Sequence, residues 1–110
     1  MALSEHDRYL LEHRVRHLVT EPLLAEQRRN PLGRPSPALI EVLDFLRRSP
    51  DPELPRYLVL TTLDGFVIAE RPAAPGLPPT PIAPRRVLPT RADAEHAIFR
   101  LRLRDYGMLV

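Results

Sequence analysis

Apolar residues near the start of the chain recur with the spacing of a helix. Leu11, Val15 and Leu18 are separated by four and three residues, so a helix carries them on one face. Ser4 can cap the beginning of this helix, because its hydroxyl can accept a hydrogen bond from an unpaired backbone N–H. Further along, Thr20 can cap a second short helix, whose first turn contains a tolerated proline.

A turn and a third helix are predicted next. Residues 30–33, Asn-Pro-Leu-Gly, favour a turn, because Asn before proline leaves the helical region and Gly33 permits a positive φ. Ser36 and Pro37 then fit an N-cap and the first helical position. The apolar arc of this helix, over residues 37–48, is wider than a surface helix usually needs.

The segment 56–71 has the pattern of a β-hairpin. Two β-prone runs flank Asp64-Gly65, a preferred pair for a two-residue type I′ turn. Both faces of the first run are largely apolar, which predicts cover on both sides. Because an isolated hairpin is marginal in water, this one must pack on the helices, join a partner's sheet, or both.

Residues 72–89 contain half of the 14 prolines in the chain, so they cannot form a helix or a central strand. The composition predicts an extended, polyproline-like arm. Two interpretations remain open for it. The arm is either a mobile connector or a segment laid along a partner, with Leu77, Ile82 and Val87 as contacts.

The last helix is predicted over residues 90–106, with Thr90 as its cap and Gly107 beyond its end. It carries two apolar stripes, whereas a surface helix needs one. We expect one stripe to face the chain's own core and the other to contact a partner. The inward stripe consists of Ala97, Ile98 and Leu101, and the outward stripe of Phe99, Leu103 and Tyr106.

Together these elements predict an α+β fold in one small domain, residues 1–110. The domain combines helices within 4–29 and over 37–48, the hairpin 56–71, the arm 72–89 and the helix 90–106. The chain has three Phe, three Tyr and no Trp. Scarce aromatic rings indicate either a thin, leucine-rich core or help from a partner in covering apolar surface.

The charge and the cysteine content exclude several kinds of functional site. All 16 basic residues are arginine, yet the formal net charge is only +2. A GC-rich genome explains this bias, and arginine also suits interfaces. The absence of cysteine excludes disulfides, zinc–thiolate sites and thiol catalysis. No apolar run approaches the ~20 residues of a membrane span, and the charged N-terminus does not resemble a signal peptide, so we expect a cytoplasmic protein.

Candidate chemistry is weak throughout the sequence. His13 and His17 are spaced to share a metal on one helix face, with His6 on roughly the same side. However, Arg14 and Arg16 would repel a metal ion, and the glutamate of an HExxH motif is missing. We interpret the three histidines as a solvated face, and we predict no catalytic, cofactor-binding or metal-binding residue in this chain.

A small DNA-binding or regulatory protein is the alternative function. A helix–turn–helix needs a short turn, whereas the helices at 21–29 and 37–48 are joined by a longer, proline-containing link. The arginines of the last helix could contact phosphates, but no aromatic platform accompanies them. These features argue against nucleic acid binding.

Three blocks of sequence resemble the small (alpha) subunit of bacterial N,N-dimethylformamidase. The first is the turn 30–33 followed by a helix that begins at Ser36-Pro37 and ends with Phe45, Arg47 and Pro50. The second is a hairpin that starts at Arg56-Tyr57. The third is the last helix, and its matching residues are Thr90, Ala94, His96, Ala97, Ile98, Phe99 and Arg102.

The resemblance covers roughly residues 10–106 and implies a role in a heteromeric amide hydrolase. In that family the large subunit holds the mononuclear iron and the catalytic residues, and the small subunit is needed for a stable assembly. The resemblance therefore implies a noncatalytic chain without a cofactor of its own, an iron-containing large subunit as its partner, and no membrane partner.

Overall fold

The computed structural model describes residues 2–72, 74–82 and 86–109. Within this part of the chain, helices and a small antiparallel sheet combine, which confirms the predicted α+β class. The helices are α1 (residues 5–18), α2 (Glu21–Arg29), α3 (Pro37–Arg47) and α4 (Arg91–Asp105), and the strands are β1 (Tyr57–Thr62), β2 (Gly65–Glu70) and β3 (Thr80–Pro81).

The first helix, α1, contains a π-helical turn. Its α-helical parts, Glu5–Leu10 and Arg16–Leu18, flank the π-helical segment Leu11–Val15. The π turn is not evident from the sequence, because Leu11 and Val15 are four residues apart, as in an ordinary helix. Both side chains are buried, so the predicted apolar face is present.

Each helix begins at the polar residue predicted to cap it. A side-chain oxygen accepts a hydrogen bond from the backbone N–H three residues further on, which satisfies one of the unpaired donors of the first turn. The pairs are Ser4 with Asp7, Thr20 with Leu23, Ser36 with Leu39, and Thr90 with Asp93. At the other end of α4, Gly107 has φ +73°, and the Met108 N–H donates to the Leu103 carbonyl at 2.8 Å. This is the predicted glycine stop.

The hairpin is present, but its turn differs from the prediction. Thr62 pairs with Gly65, so the two turn residues are Leu63 and Asp64. Among the described residues other than glycine, only Ser49 has a positive φ, which excludes a type I′ turn here. The predicted Asp64-Gly65 turn is therefore wrong by one residue.

At two glycines, the space beside the backbone matters more than the preference of turns for glycine. Gly65 has φ +146°, and a Cβ there would lie 2.5 Å from the Leu88 carbonyl oxygen. Gly33 does not have the positive φ expected of it, which corrects that prediction. Instead, a Cβ at Gly33 would collide with the side chain of Asn30, so a larger residue there requires that side chain to move.

The proline-rich arm folds back on the chain's own sheet. Pro81 pairs with Ala69 in β2, and further on Leu88 exchanges backbone hydrogen bonds of 2.7 and 2.9 Å with Phe66. The sheet order is β1-β2-β3, so Pro81 lies on an edge strand, where a missing N–H is tolerated. Residues 80–81 and Leu88 are thus paired with the chain's own sheet, whereas residues 75 and 76 form a turn.

A first hydrophobic cluster, the helical core, lies between α1, α2, α3 and one face of α4. Phe45 and Tyr106 meet edge to face within it, with ring centroids 5.4 Å apart. Its buried members are Leu11, Val15, Leu23, Leu24, Leu39, Val42, Phe45, Leu46, Phe99, Leu103 and Tyr106.

A second cluster, the sheet core, joins the hairpin to another face of α4. Tyr57, Ile68 and Ile98 are its buried residues. On the opposite face of the sheet, Val67 and Ala69 of β2 are also buried, while Leu58 and Leu60 of β1, the strand expected to be covered on both faces, are half-buried. In the part of the chain that the structure describes, no helix is long and apolar enough to cross a membrane.

Candidate functional site

A groove of about 650 Å³ runs between α4 and the sheet. On α4, Ala97, Arg100, Leu101 and Arg104 follow a spacing of three and four residues, so they share one side of the helix. We call this surface the α4 groove. Its apolar floor consists of Tyr57, Ile68, Ile82, Leu88, Ala97 and Leu101, and its rim of Arg86, Arg100 and Arg104.

The floor leaves apolar surface uncovered. Tyr57 and Ile68 are buried, whereas Ile82, Leu88, Ala97 and Leu101 pack against the sheet core but remain half-buried. Isolated exposed apolar residues are normal on a protein surface, but contiguous ones that line a groove are typical of a binding site.

The rim is dominated by arginine. Arg86 and Arg100 are exposed and form no ion pair with any residue in 2–72, 74–82 or 86–109. Arg104 lies 3.4 Å from its neighbour Asp105, a contact that contributes little at an exposed site. Glu70, at the end of β2, is the other acidic residue that lines the groove among those the structure describes.

Asp105 is already engaged within the chain. The Tyr57 hydroxyl donates to Asp105 Oδ2 at 2.5 Å, which ties the start of β1 to the end of α4. Burial, and then this hydrogen bond, raises the pKa of Tyr57 above its ordinary value of 10. The phenol therefore stays protonated at neutral pH and acts as a donor. It occupies one oxygen of the Asp105 carboxylate, while the other oxygen faces Arg104.

A buried polar contact supports α4 on its opposite side. His96 Nδ1 lies against Oε1 of Gln27, which is 4% exposed in α2. Gln27 Oε1 accepts this hydrogen bond when Nδ1 carries the proton. Burial, with Arg100 and Arg28 as further causes, lowers the pKa of His96 below its ordinary value. A neutral imidazole thus holds α2 to α4, as a structural contact.

The stripe predicted to contact a partner lies inside the chain. Phe99, Leu103 and Tyr106 are 3%, 0% and 4% exposed and belong to the helical core. The prediction that these side chains form an outer face is wrong for the isolated chain, because three other helices cover that side of α4. Of the other stripe, Ile98 is buried in the sheet core, as expected, while Ala97 and Leu101 border the groove.

The predicted contacts in the arm have separate locations. Leu77 and Val87 are 57% and 44% exposed, so their side chains are accessible. Ile82 instead packs against the sheet core and forms part of the groove floor. Only Ile82 of the six predicted interface residues therefore lines the α4 groove.

The histidines of α1 are exposed, and His13 lies with its ring 4.5 Å from that of Tyr9. Within the described residues, no group of three or more His, Cys, Asp or Glu side chains could hold a metal ion.

The sequence contains only a weak signal for the rim arginines. Arg100 and Arg104 are one helical turn apart beside Ala97 and Leu101, and this spacing is a weak signal for a shared side. Arg86 joins them only because the arm folds back, which no local pattern indicates. The resulting surface combines an apolar floor with exposed cations and has the chemistry of a binding site.

Comparison with known families gives one result that covers the chain. The family model described as N,N-dimethylformamidase alpha subunit matches residues 1–110, the whole chain. No curated protein matches the chain.

Proposed function

The chain belongs to the N,N-dimethylformamidase alpha subunit family, and from this premise we propose that it is a noncatalytic small subunit that stabilises a larger, iron-dependent catalytic subunit. The complex would hydrolyse the C–N bond of an amide. The match over residues 1–110 is the observation that carries the proposal, because an alpha subunit is by definition one component of a hetero-oligomer.

The properties of the α4 groove support a binding role. A half-buried apolar floor gains free energy when a partner covers it, and a charged rim supplies orientation. The pKa of Tyr57, which lines the groove, is raised, so its phenol is protonated at neutral pH. This phenol is suited to donating a hydrogen bond and unsuited to acting as a base at neutral pH.

The proposal is tested by producing the chain and its large partner separately and together. We expect N,N-dimethylformamide hydrolysis and bound iron in the complex, and neither in the chain alone. We also expect the large subunit to unfold at a higher temperature when the chain is present, since a ligand that binds only the folded state stabilises it.

Two results would overturn the proposal. One is amide hydrolysis by the purified chain in proportion to its own concentration, after metal supplementation and without a partner. The other is a large subunit whose activity, iron content and thermal stability are the same with and without the chain. Salt-sensitive binding of DNA by the chain, with no binding of the large subunit, would favour the alternative regulatory function instead.

A further inference from the structure

We propose that the α4 groove binds a segment of the large subunit that carries both carboxylate and apolar side chains. This inference rests on the proposed function and specifies where and by what chemistry the two chains meet. It differs from the sequence prediction, which placed the contact on Phe99, Leu103 and Tyr106.

The apolar part of the proposal follows from the floor of the groove. Leu101 and Ala97 of α4 line the groove together with Ile82 and Leu88, and all four remain half-buried in the isolated chain. Covering these side chains with apolar groups of a partner removes their surface from water, which is favourable in proportion to the area covered. The floor therefore selects apolar side chains.

The acidic part follows from the rim. Arg86 and Arg100 face solvent beside the floor and make no ion pair with a described residue, while the one carboxylate near Arg104 is bonded to the Tyr57 hydroxyl. Three guanidinium groups thus border an apolar surface that two carboxylates, Glu70 and Asp105, also line, so the rim keeps an excess of positive charge. Carboxylates are complementary to this rim, and arginine can bind them with two parallel hydrogen bonds.

A protein segment fits the groove better than a helix of DNA or an isolated anion. The apolar floor offers nothing to a phosphate backbone, and a free anion would contact the rim alone. A segment that carries both kinds of side chain uses the whole surface. Since an alpha subunit must associate with another chain, the large subunit is the partner that can supply it.

The first test reverses the charge of the rim in the complete complex. Arg100→Glu and Arg86→Glu are each compared with Arg34→Glu, an exposed arginine in the turn before α3. We expect each rim variant to weaken binding of the large subunit roughly tenfold or more, because like charges then meet at the contact. Arg34→Glu should bind like the parent chain, and thermal unfolding of each free variant should match that of the parent.

The second test identifies what occupies the groove. A photo-reactive benzophenone amino acid replaces Arg100, and the irradiated complex is digested and analysed by mass spectrometry. We expect a cross-link to a peptide of the large subunit that contains Asp or Glu among apolar residues.

The affinity of the parent chain for the large subunit should also fall with added salt. It should fall less steeply for the Arg100→Ala chain.

The possible failures are distinct. If the large subunit binds both rim variants as tightly as it binds Arg34→Glu, or if the cross-linked peptide lacks carboxylates, the groove proposal is wrong and the subunit function stands. If the parent chain binds no large subunit at all, both proposals fail.

Octanoate serves as a probe for a small carboxylate ligand in the groove. Saturable binding of octanoate in the groove that does not compete with the large subunit would also overturn the groove proposal.

Discussion

Phe99 carries an aromatic ring from α4 into the helical core, where it is 3% exposed. Replacement by alanine leaves a cavity that the surrounding helices can fill only in part. We expect Phe99→Ala to lower the free energy of unfolding of the isolated chain by about 3–5 kcal/mol. Urea denaturation followed by circular dichroism measures this change.

Ile40→Ala is the control for this substitution, because Ile40 is 41% exposed on α3 and its truncation should change stability by about 0.5 kcal/mol or less. A Phe99→Ala chain as stable as the Ile40→Ala chain, but with weakened binding of the large subunit, would contradict the observed burial. It would restore the original assignment of this side chain to a partner contact.

The role of a residue could be predicted where its partner is close in the sequence. It could not be predicted where the partner is far away in the chain. The capping function of Ser36 depends on the N–H of Leu39 three positions away, so the sequence contains both partners. The burial of Phe99 depends on helices far away in the chain, and two apolar stripes do not reveal which neighbour covers each. Asp51 is a similar case, because its buried carboxylate accepts hydrogen bonds of 2.9 Å from the backbone of Ala2 and Glu53.

The sheet depends on a close approach between β2 and the returning arm. At Gly65, φ is +146° and the Leu88 carbonyl oxygen occupies the space of a Cβ. We expect Gly65→Ala to destabilise the chain by about 1–3 kcal/mol, because the backbone conformation is strained for alanine and the arm must move. Amide exchange at Phe66 and Leu88, which are hydrogen-bonded to each other, should quicken more than exchange within α3.

Gly76→Ala is the matched control, since Gly76 also has a positive φ, +87°, but nothing lies within 4 Å of its added Cβ. It therefore includes backbone strain without the collision. Equal loss of stability in the two variants, with unchanged exchange at Leu88, would show that the contact between Gly65 and the arm contributes nothing.

At the level of elements, strong local signals predicted the helices and the hairpin. The turn was misplaced by one residue because Asp64-Gly65 suits a type I′ turn by propensity, while the actual register is set by the pairing of Thr62 with Gly65. The third strand could not be predicted, because prolines weaken every local signal for a strand. Its pairing with β2 depends on contacts made after the arm turns back.

In the whole molecule, α4 connects the helical core to the sheet core. Phe99 and Leu103 face the first, Ile98 faces the second, and Ala97 and Leu101 remain for the groove. This division explains why the helix is apolar on more than one side without a partner. It also explains why the groove could not be predicted: α4, the sheet and the arm each contribute to it, and their relative placement is a property of the complete fold.

The partly buried imidazole of His96, at the contact between α2 and α4, makes the stability of the whole chain depend on pH. Because the pKa of His96 is lowered in the folded chain from its ordinary value of 6.5, the unfolded chain binds more protons between the two values. The free energy of unfolding is then highest above about pH 6.5 and falls as the pH decreases through this range towards the folded pKa. Both cores share α4, so the loss should affect unfolding of the entire chain.

His96→Gln tests this dependence, because the amide of glutamine can still donate to Gln27 but does not titrate between pH 5 and 8. We expect the parent chain to lose more stability than His96→Gln when urea denaturation is repeated from pH 7.5 down to pH 5. His17→Gln, which removes an exposed imidazole of α1, controls for the loss of a histidine as such. If His17→Gln flattens the pH profile as much as His96→Gln does, the partial burial of His96 between α2 and α4 is not the origin of the pH dependence.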